Sequence, residues 1–254
     1  MRLLSRRAFL GLTAAGAPTL LAVDAFGVEP GWLRIRHLRR NENPTHRFVH
    51  FTDLHHKGDR ARLRKVIDCV NGLSPDFVCF TGDIVEDKHY LDETLEEMTR
   101  IETPMYGCPG NHDYWSGIDF RSVAKAFEST GGAWLLNEAR EIVPGEIGVY
   151  GAKELRPKSR IEIDAPKTIF LGHYPESALN LGGRQFTLLL AGHSHGGQVR
   201  LPFVGALVVP NDCGEFDRGL FETPAGPLYV NPGIGTWLIP VRFMCRPEIT
   251  VFEF

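Results

Sequence analysis

The sequence predicts an α/β protein in which two packed β-sheets carry helices on their outer faces. Short apolar segments bounded by Gly and Pro recur along the chain, which is typical of strands buried on both faces. In the first half, apolar residues at helical spacing separate these segments. The second half instead shows short strands and Gly/Pro turns.

Length and composition set wide bounds. The 254 residues suffice for one large domain, and no internal repeat suggests a second. A net charge of −3 gives no reason to expect nucleic acid as a partner. The five cysteines have no zinc-finger spacing, and their odd number argues against a complete disulfide framework. The function must therefore be sought in the motifs.

The first 25 residues have the features of an export signal. Residues 5–10, Ser-Arg-Arg-Ala-Phe-Leu, resemble the twin-arginine motif, and a largely apolar, uncharged segment continues to Val23. The cleavage site before residue 26 is acceptable but imperfect, so cleavage and retention as a membrane anchor both stay open. We predict a signal at residues 1–25 and a domain at residues 26–254. The implied partner is the twin-arginine export machinery, and the implied location is the periplasm or cell envelope, with membrane association left open.

The first half of the domain is predicted to alternate strands and helices. Residues 28–40 form a strand with one basic face, which we expect to be solvated. After a strand at residues 47–52, apolar residues at helical spacing over residues 63–73 mark a crossover helix. This helix leads to a central strand, Phe77–Phe80, in a right-handed βαβ unit. The elements that follow are a helix at residues 91–98, a strand at 103–106 and a helix at 120–127 that Gly131 and Gly132 end.

The second half is predicted to be mainly strands. Its predicted elements are short strands over residues 134–150 with a Pro-Gly turn, strands at 167–171, 186–191 and 248–254, and a short helix at 175–179.

Five of the predicted strands end in polar residues that are good metal ligands. In chain order the endings are Asp53-Leu54-His55, Thr81-Gly82-Asp83, Gly110-Asn111-His112-Asp113, Gly172-His173 and Gly192-His193-Ser194-His195. Ligands of open α/β sheets bind in the crevice beyond the carboxyl ends of the strands. We therefore expect the five endings to converge on one metal site.

In this order the motifs Asp-x-His, Gly-Asp-x-x-Glu, Gly-Asn-His-Asp, Gly-His and Gly-His-x-His strongly resemble the calcineurin-like metallophosphoesterases. The resemblance covers residues 47–254. The stretch Gly-His-Ser-His-Gly-Gly-Gln at residues 192–198, together with the signal, looks most like exported bacterial phosphodiesterases of this family. The resemblance implies a four-layer α/β/β/α sandwich and an exported phosphoester hydrolase, with a phosphoester substrate that is envelope-linked or lipid-linked in one reading.

The resemblance also implies two divalent metal ions, which clamp the phosphoryl oxygens and activate a bridging hydroxide as nucleophile. By the same resemblance Asp83 is shared by both metals. The remaining ligands are Asp53, His55 and His195 for one metal, and Asn111, His173 and His193 for the other. Imidazole, carboxylate and amide donors without thiolate suit Mn, Fe, Co, Ni or Zn.

The presence of His112 distinguishes an enzyme from a protein that only binds metal ions. The family resemblance implies that it protonates the leaving oxygen while Asp113 orients its ring. We expect Glu86 to be a local hydrogen-bonding residue, not a ligand.

Two alternatives stay open. A pyrophosphatase of the UDP-2,3-diacylglucosamine type is one, although its last motif usually continues with Arg-Pro where Gly196 and Gly197 stand here. A metal-binding protein scaffold is the other, and it predicts that a ligand or His112 is missing. The sequence contains all of the predicted metal ligands and His112.

Overall fold

Two six-stranded mixed sheets form the centre of the molecule. The structure is a computed structural model that describes residues 19–156 and 162–254. In chain order the strands are β1 (Arg34–Arg39), β2 (Arg47–Phe51), β3 (Phe77–Phe80), β4 (Met105–Gly107), β5 (Ala133–Trp134), β6 (Glu138–Val143), β7 (Ile147–Gly151), β8 (Lys167–Leu171), β9 (Leu188–Ala191), β10 (Arg200–Leu201), β11 (Gly205–Ala206), β12 (Gly219–Thr223), β13 (Gly226–Val230) and β14 (Glu248–Glu253). The α-helices are α1 (Arg60–Gly72), α2 (Leu91–Met98), α3 (Asn111–Trp115) and α4 (Phe120–Ser129).

The strand order explains why polar strand ends gather in one place. The first sheet has the order β1-β14-β2-β3-β4-β5, and the second has β12-β13-β9-β8-β7-β6. Strands β2 to β5 are mutually parallel, as are β13, β9, β8 and β7. The carboxyl ends of the parallel strands within each sheet therefore lie at one edge.

Alternation along the strands builds separate cores on the two faces of each sheet. In β2, Val49 and Phe51 pack with the helices, whereas Phe48 packs between the two sheets. In β8, Leu171 lies between the sheets and Phe170 lies on the outer face of the second sheet. Successive side chains of a strand point to opposite faces, so one strand serves two layers.

Helices α1, α2 and α4 cover the first sheet. Helix α1 begins after Asp59, whose carboxylate accepts the backbone N–H of Arg62. Helix α4 begins in the same way after Asp119. The outer face of the second sheet is covered by a 3₁₀ helix, Pro175–Leu179, and by loops. The predicted α/β class, with two packed sheets and outer helices, is confirmed.

Strand positions differ slightly from the prediction where proline intervenes. The strand predicted at residues 103–106 is β4, which begins at Met105 because Pro104 has no N–H to donate. The strand predicted from residue 28 begins at Arg34, since Glu29–Gly31 form a 3₁₀ turn around Pro30.

The N-terminal part of the described chain docks on the C-terminal loop. The Glu29 carboxylate accepts the backbone N–H groups of Met244 and Cys245, and the Ala25 carbonyl accepts that of Arg242. Residues 1–18, with the predicted twin-arginine motif, lie outside the described residues. Within the described ranges, no helix combines the length and apolar character needed to cross a bilayer.

Candidate metal centre

The predicted strand endings meet in one cleft between the two sheets. Asp53 and His55 follow β2, Asp83 follows β3, and Asn111 and His112 open α3 after β4. From the second sheet, His173 follows β8, and His193 and His195 follow β9. Their ligand atoms form three groups within which all atoms lie within 4.8 Å of one another: Asp53, His55 and His195; His55, Asp83 and His112; and Asp83, His173 and His193.

The first cluster joins the end of β2 to the end of β9. The Nε2 atoms of His55 and His195 are 3.1 Å apart. Asp53 Oδ1 lies 3.6 Å from the His195 nitrogen and 3.9 Å from the His55 nitrogen. Three donor atoms therefore face a common point, as the ligands of a metal ion do.

The second cluster joins β4 to the second sheet. His173 Nε2 lies 3.1 Å from His193 Nδ1 and 3.0 Å from Asn111 Oδ1. Its distance to Asp83 Oδ2 is 3.3 Å. The same Asp83 oxygen is 3.2 Å from His55 Nε2 in the first cluster. One carboxylate oxygen thus reaches both clusters.

The backbone at these residues is strained. Five predicted site residues have a positive φ, which side-chain-bearing residues rarely adopt: Asp53, His55, Asp83, His193 and His195. Such conformations persist only where the surrounding structure enforces them, and they concentrate at functional sites. Glycine is required at position 110 for a steric reason, because a Cβ there would lie 2.1 Å from Asp83 Oδ1. Only glycine lets this loop approach the shared carboxylate.

Hydrogen bonds behind the imidazoles fix which nitrogen faces the cleft. His55 Nδ1 is 2.9 Å from Glu86 Oε2, and His173 Nδ1 donates to the Thr81 carbonyl at 2.7 Å. His193 uses its other nitrogen, since Nε2 donates to the Asn211 carbonyl at 2.9 Å. Partners of this kind set the tautomer and orientation of metal-ligating histidines. Glu86 thus hydrogen-bonds locally, as predicted.

Buried charges at the site perturb one another. Burial raises the pKa of Asp53 to about 6. Burial alone would lower the pKa of His55, but hydrogen bonds with Asp83 and Glu86 raise it to about 10. Burial lowers the pKa of His193 to about 3. Buried carboxylates that face imidazole nitrogens need positive charge between them, and divalent cations provide it. The donor set therefore fits the two predicted metal ions.

His112 lies at the edge of this cluster. Its ring contacts those of His55 and Trp115, at centroid distances of 4.5 and 4.9 Å. Nδ1 is 3.5 Å from Glu86 Oε2. Nε2 is buried and has no hydrogen-bond partner among the described residues. This nitrogen is left available to a bound substrate.

Asp113 does not orient the His112 ring, and that prediction is wrong. Its Oδ2 accepts the backbone N–H groups of Asp83 and Gly110 at 2.9 and 2.8 Å, and its Oδ1 accepts that of Ile84 at 2.8 Å. Asp113 stands in the first turn of α3, where a carboxylate caps free amides. It therefore ties the ends of β3 and β4 together, and the carboxylate beside the His112 ring is Glu86.

A cavity of about 260 Å³ opens above the two clusters. Trp115, Tyr174 and Trp237 form parts of its wall together with residues 210–212. Trp115 follows the Gly-Asn-His-Asp motif. Tyr174 follows His173 directly, but Asn211 and Trp237 come from loops that carry no motif. His56 does not line this cavity, and its ring bonds to Glu93 at 2.6 Å.

One carboxylate between two clusters of ligand atoms is the arrangement expected at the active site of a dinuclear-metal hydrolase. Residues 46–197 match the family model of the calcineurin-like phosphoesterases. The chain belongs to this family, whose members depend on two divalent metal ions. It is a metal-dependent phosphoric ester hydrolase.

Relatives from other organisms extend over nearly the whole chain. The phosphodiesterase YaeI of Escherichia coli is 29% identical, with 99% of each chain covered. The UDP-2,3-diacylglucosamine pyrophosphatase LpxG of Chlamydia trachomatis is 28% identical over 96% of this chain and 97% of its own. A dimetal phosphatase from Danio rerio has a similar fold, with a TM-score of 0.50 at 13% identity, over 76% of this chain and 88% of its own.

Proposed function

We propose that this protein is an exported phosphodiesterase in which Asp83 is shared by two metal ions and His112 is the general acid. The observation that carries the proposal is the position of His112, which lies beside Asp83 and His55 at the cavity and has a buried Nε2 without a hydrogen-bond partner among the described residues. A metal-binding scaffold needs no such group. A phosphoesterase needs one, because the leaving alkoxide has to be protonated.

The two clusters support the following assignment of ligands to the two metal ions. Asp53, His55, Asp83 and His195 would hold one ion, and Asp83, Asn111, His173 and His193 would hold the other. When bound, the ions neutralise phosphoryl charge and lower the pKa of a bound water.

Other residues of the site donate a proton or hold the reacting groups in position. His112 donates a proton from Nε2 to the leaving oxygen. Glu86 accepts from the His55 ring and faces His112 Nδ1, so it supports both rings. Asp113 keeps Asp83 and Gly110 in place through their backbone amides. This role makes Asp113 a positioning residue.

A lipid-nucleotide pyrophosphatase is the second candidate. It is favoured by the relative LpxG, which aligns over nearly the whole chain. Both reactions use the same attack on a phosphorus atom and differ in the group that leaves. The cavity walls from residues 210–212 and Trp237 would make the distinction.

Export by the twin-arginine pathway rests on residues 5–10 and the apolar segment behind them. This pathway carries folded proteins, so the metal ions can be loaded before transport. The substrate would then be met in the periplasm or cell envelope.

A metal and substrate panel tests the proposal. The full chain is stripped with a chelator, reloaded with Mn, Fe, Co, Ni or Zn, and assayed on bis(4-nitrophenyl) phosphate, 4-nitrophenyl phosphate and a UDP-linked diacyl sugar. We expect metal-dependent turnover that is fastest on the diester. Fastest turnover of the pyrophosphate would favour the second candidate. No turnover with both metals bound would contradict either reaction. Asp83→Ala, purified in parallel, reports contaminating hydrolases.

A further inference from the structure

A second cavity lies beside the metal centre. Its volume is about 320 Å³, compared with about 260 Å³ for the metal cavity. His195, Pro210 and Trp237 line both cavities, so the two spaces adjoin. A molecule that places its phosphate at the ligand clusters can therefore extend into the second cavity.

The lining of this second cavity is apolar. Its walls are formed chiefly by Val199, Leu207, Val208, Leu238, Ile239 and Val241. Among the described lining residues there is no Asp, Glu, Lys or Arg. A nucleotide or sugar would find few hydrogen-bond partners there and would lose those it has in water. An apolar chain has no hydrogen bonds to water to lose, and its burial is favourable in free energy.

The cavity is preformed by hydrogen bonds of its loops. The Gln198 side chain donates from Nε2 to the Trp237 carbonyl at 3.1 Å and accepts the Trp237 N–H at Oε1. Leu207 N–H donates to the Val199 carbonyl at 3.1 Å. These bonds hold both walls, so little ordering is required when a ligand binds.

The walls expose apolar surface to solvent. Leu207 and Ile239 are 52% and 56% exposed, and Val208 and Leu238 are 67% and 70% exposed. Four neighbouring apolar residues with this exposure form a patch that a bound ligand could cover. Because the patch is continuous with the metal cavity, part of a substrate bound at the metal cavity could be that ligand.

We infer that this second cavity, here called the acyl trough, binds an alkyl or acyl chain carried by the phosphoester substrate. The inference rests on the proposed function, because the phosphate has to lie at the two ligand clusters. From there the chain passes Pro210 and Trp237 and ends between Leu207 and Leu238. The substrate class is therefore a phosphoester of an amphipathic, lipid-like alcohol.

A chain-length series tests the acyl trough. The substrates are 4-nitrophenyl alkyl phosphodiesters with alkyl groups from methyl to dodecyl, used below the concentration at which they form micelles. The leaving group is constant, so differences in kcat/KM report the alkyl group. We expect kcat/KM to rise about two- to fourfold per added methylene until the trough is filled, and then to level off.

Matched leucine variants locate the effect. Leu207→Gln and Leu238→Gln should flatten the chain-length dependence. Leu220 is a partly exposed leucine on the outer strand β12 and does not line the trough. Leu220→Gln should keep the full dependence. All three leucines are at least 40% exposed, so the variants should fold.

Each outcome has a distinct meaning. A flat dependence in the wild type, with good turnover of the methyl ester, would overturn the trough and leave the proposed function standing. The acyl trough would also be overturned if Leu207→Gln and Leu238→Gln kept the chain-length dependence of kcat/KM. If those variants instead lost binding to phosphatidylglycerol vesicles, the patch would be a membrane contact.

A binding measurement covers the case in which no ester is hydrolysed, which would defeat the proposed function. Calorimetry of the metal-loaded protein with decylphosphonate, a non-hydrolysable probe, should show about tenfold weaker binding for Leu207→Gln than for wild type or Leu220→Gln. Equal binding by all three proteins would overturn the acyl trough.

Discussion

At the scale of single residues, His112 decides what the site can do. The eight other predicted site residues either offer metal-ligand atoms or, in the case of Asp113, hold backbone amides. His112 lines the cavity, and its buried Nε2 has no hydrogen-bond partner among the described residues. We therefore expect its role to be separable from metal binding.

Replacing His112 by Ala should slow turnover by about 10²–10⁴-fold while both metal ions stay bound, the usual range for loss of a general acid. The deficit should shrink for a nitrophenolate leaving group, which departs without a proton, and be full for alkoxides. Rates across leaving groups of rising pKa, with metal content measured in parallel, provide the check. His89→Ala is the control, since His89 is exposed and pairs with Asp87. An equal deficit for every leaving group would mean that His112 only positions the phosphate.

At the scale of elements, the loop between β13 and β14 is held by one buried arginine. The Arg242 guanidinium is fully buried and donates to the carbonyls of Pro232, Gly233, Gly235 and Cys245. Gly235 N–H in turn bonds to the Asp53 carbonyl. The arginine thus supports a loop that packs against a predicted metal ligand.

We expect Arg242→Met to destabilise the protein strongly. Each buried carbonyl that loses its donor costs about 1–3 kcal/mol, and four are affected. The summed loss is reduced by relaxation, so we predict a fall of about 3–5 kcal/mol in the free energy of unfolding, measured by urea titration. Arg140→Met, which removes an exposed ion pair with Glu138, should change it by less than about 1 kcal/mol. A similar small change for Arg242→Met would contradict the account of this loop.

The contact between α1 and α2 should lose stability at low pH. The buried Glu97 carboxylate accepts from Arg64 and Arg60 at 2.7 Å each and from Arg100 at 2.8 Å. The hydrogen bond from Arg64, followed by those from Arg100 and Arg60, outweighs burial and holds the pKa of Glu97 well below its usual value.

A carboxylate with a depressed pKa stabilises the fold above its unfolded pKa of about 4.3, and that stability is lost as the pH falls toward the folded value. Between about pH 5 and about pH 2, the unfolding free energy of wild type should therefore fall more steeply than that of Glu97→Gln. Glu96→Gln, at the exposed neighbouring carboxylate, should follow wild type. Parallel slopes for wild type and Glu97→Gln would show that Glu97 makes no such contribution.

Patterns local in sequence predicted the elements and the residues that meet at the candidate site. Strand β3 and helix α1 lie where apolar periodicity placed them, because burial of their faces leaves a signal in the sequence. The role of Asp113 could not be predicted in this way. Its partners are backbone amides of residues 83 and 84, brought close only by the pairing of β3 with β4. The positions of Asn211 and Trp237 likewise depend on long loops without periodicity.

At the scale of the whole molecule, the metal centre joins the two sheets. His55 and Asp83 come from the first sheet, while His173, His193 and His195 come from the second. Binding of metal ions would therefore link both halves of the fold, and folding before export fits the twin-arginine pathway that we propose.

Substitution of both Arg6 and Arg7 by Lys should block export and leave an active, metal-loaded enzyme in the cytoplasm. The expectation rests on the Ser-Arg-Arg-Ala-Phe-Leu sequence of residues 5–10. Fractionation of cells with an activity assay of each fraction measures it, and Arg2→Lys, outside the arginine pair, is the control. Wild-type amounts of the double variant in the envelope would show that another pathway carries the protein.

The central claim is that one carboxylate, Asp83, serves two metal sites, and metal content tests it most directly. Elemental analysis of wild type after reconstitution should give about two metal ions per chain. Asn111→Ala should keep one tightly bound ion, because Asn111 belongs to the second cluster only. Asp83→Ala should lose both ions, since its oxygen reaches His55 and His173 alike. Near-full occupancy of both sites in Asp83→Ala would contradict the account.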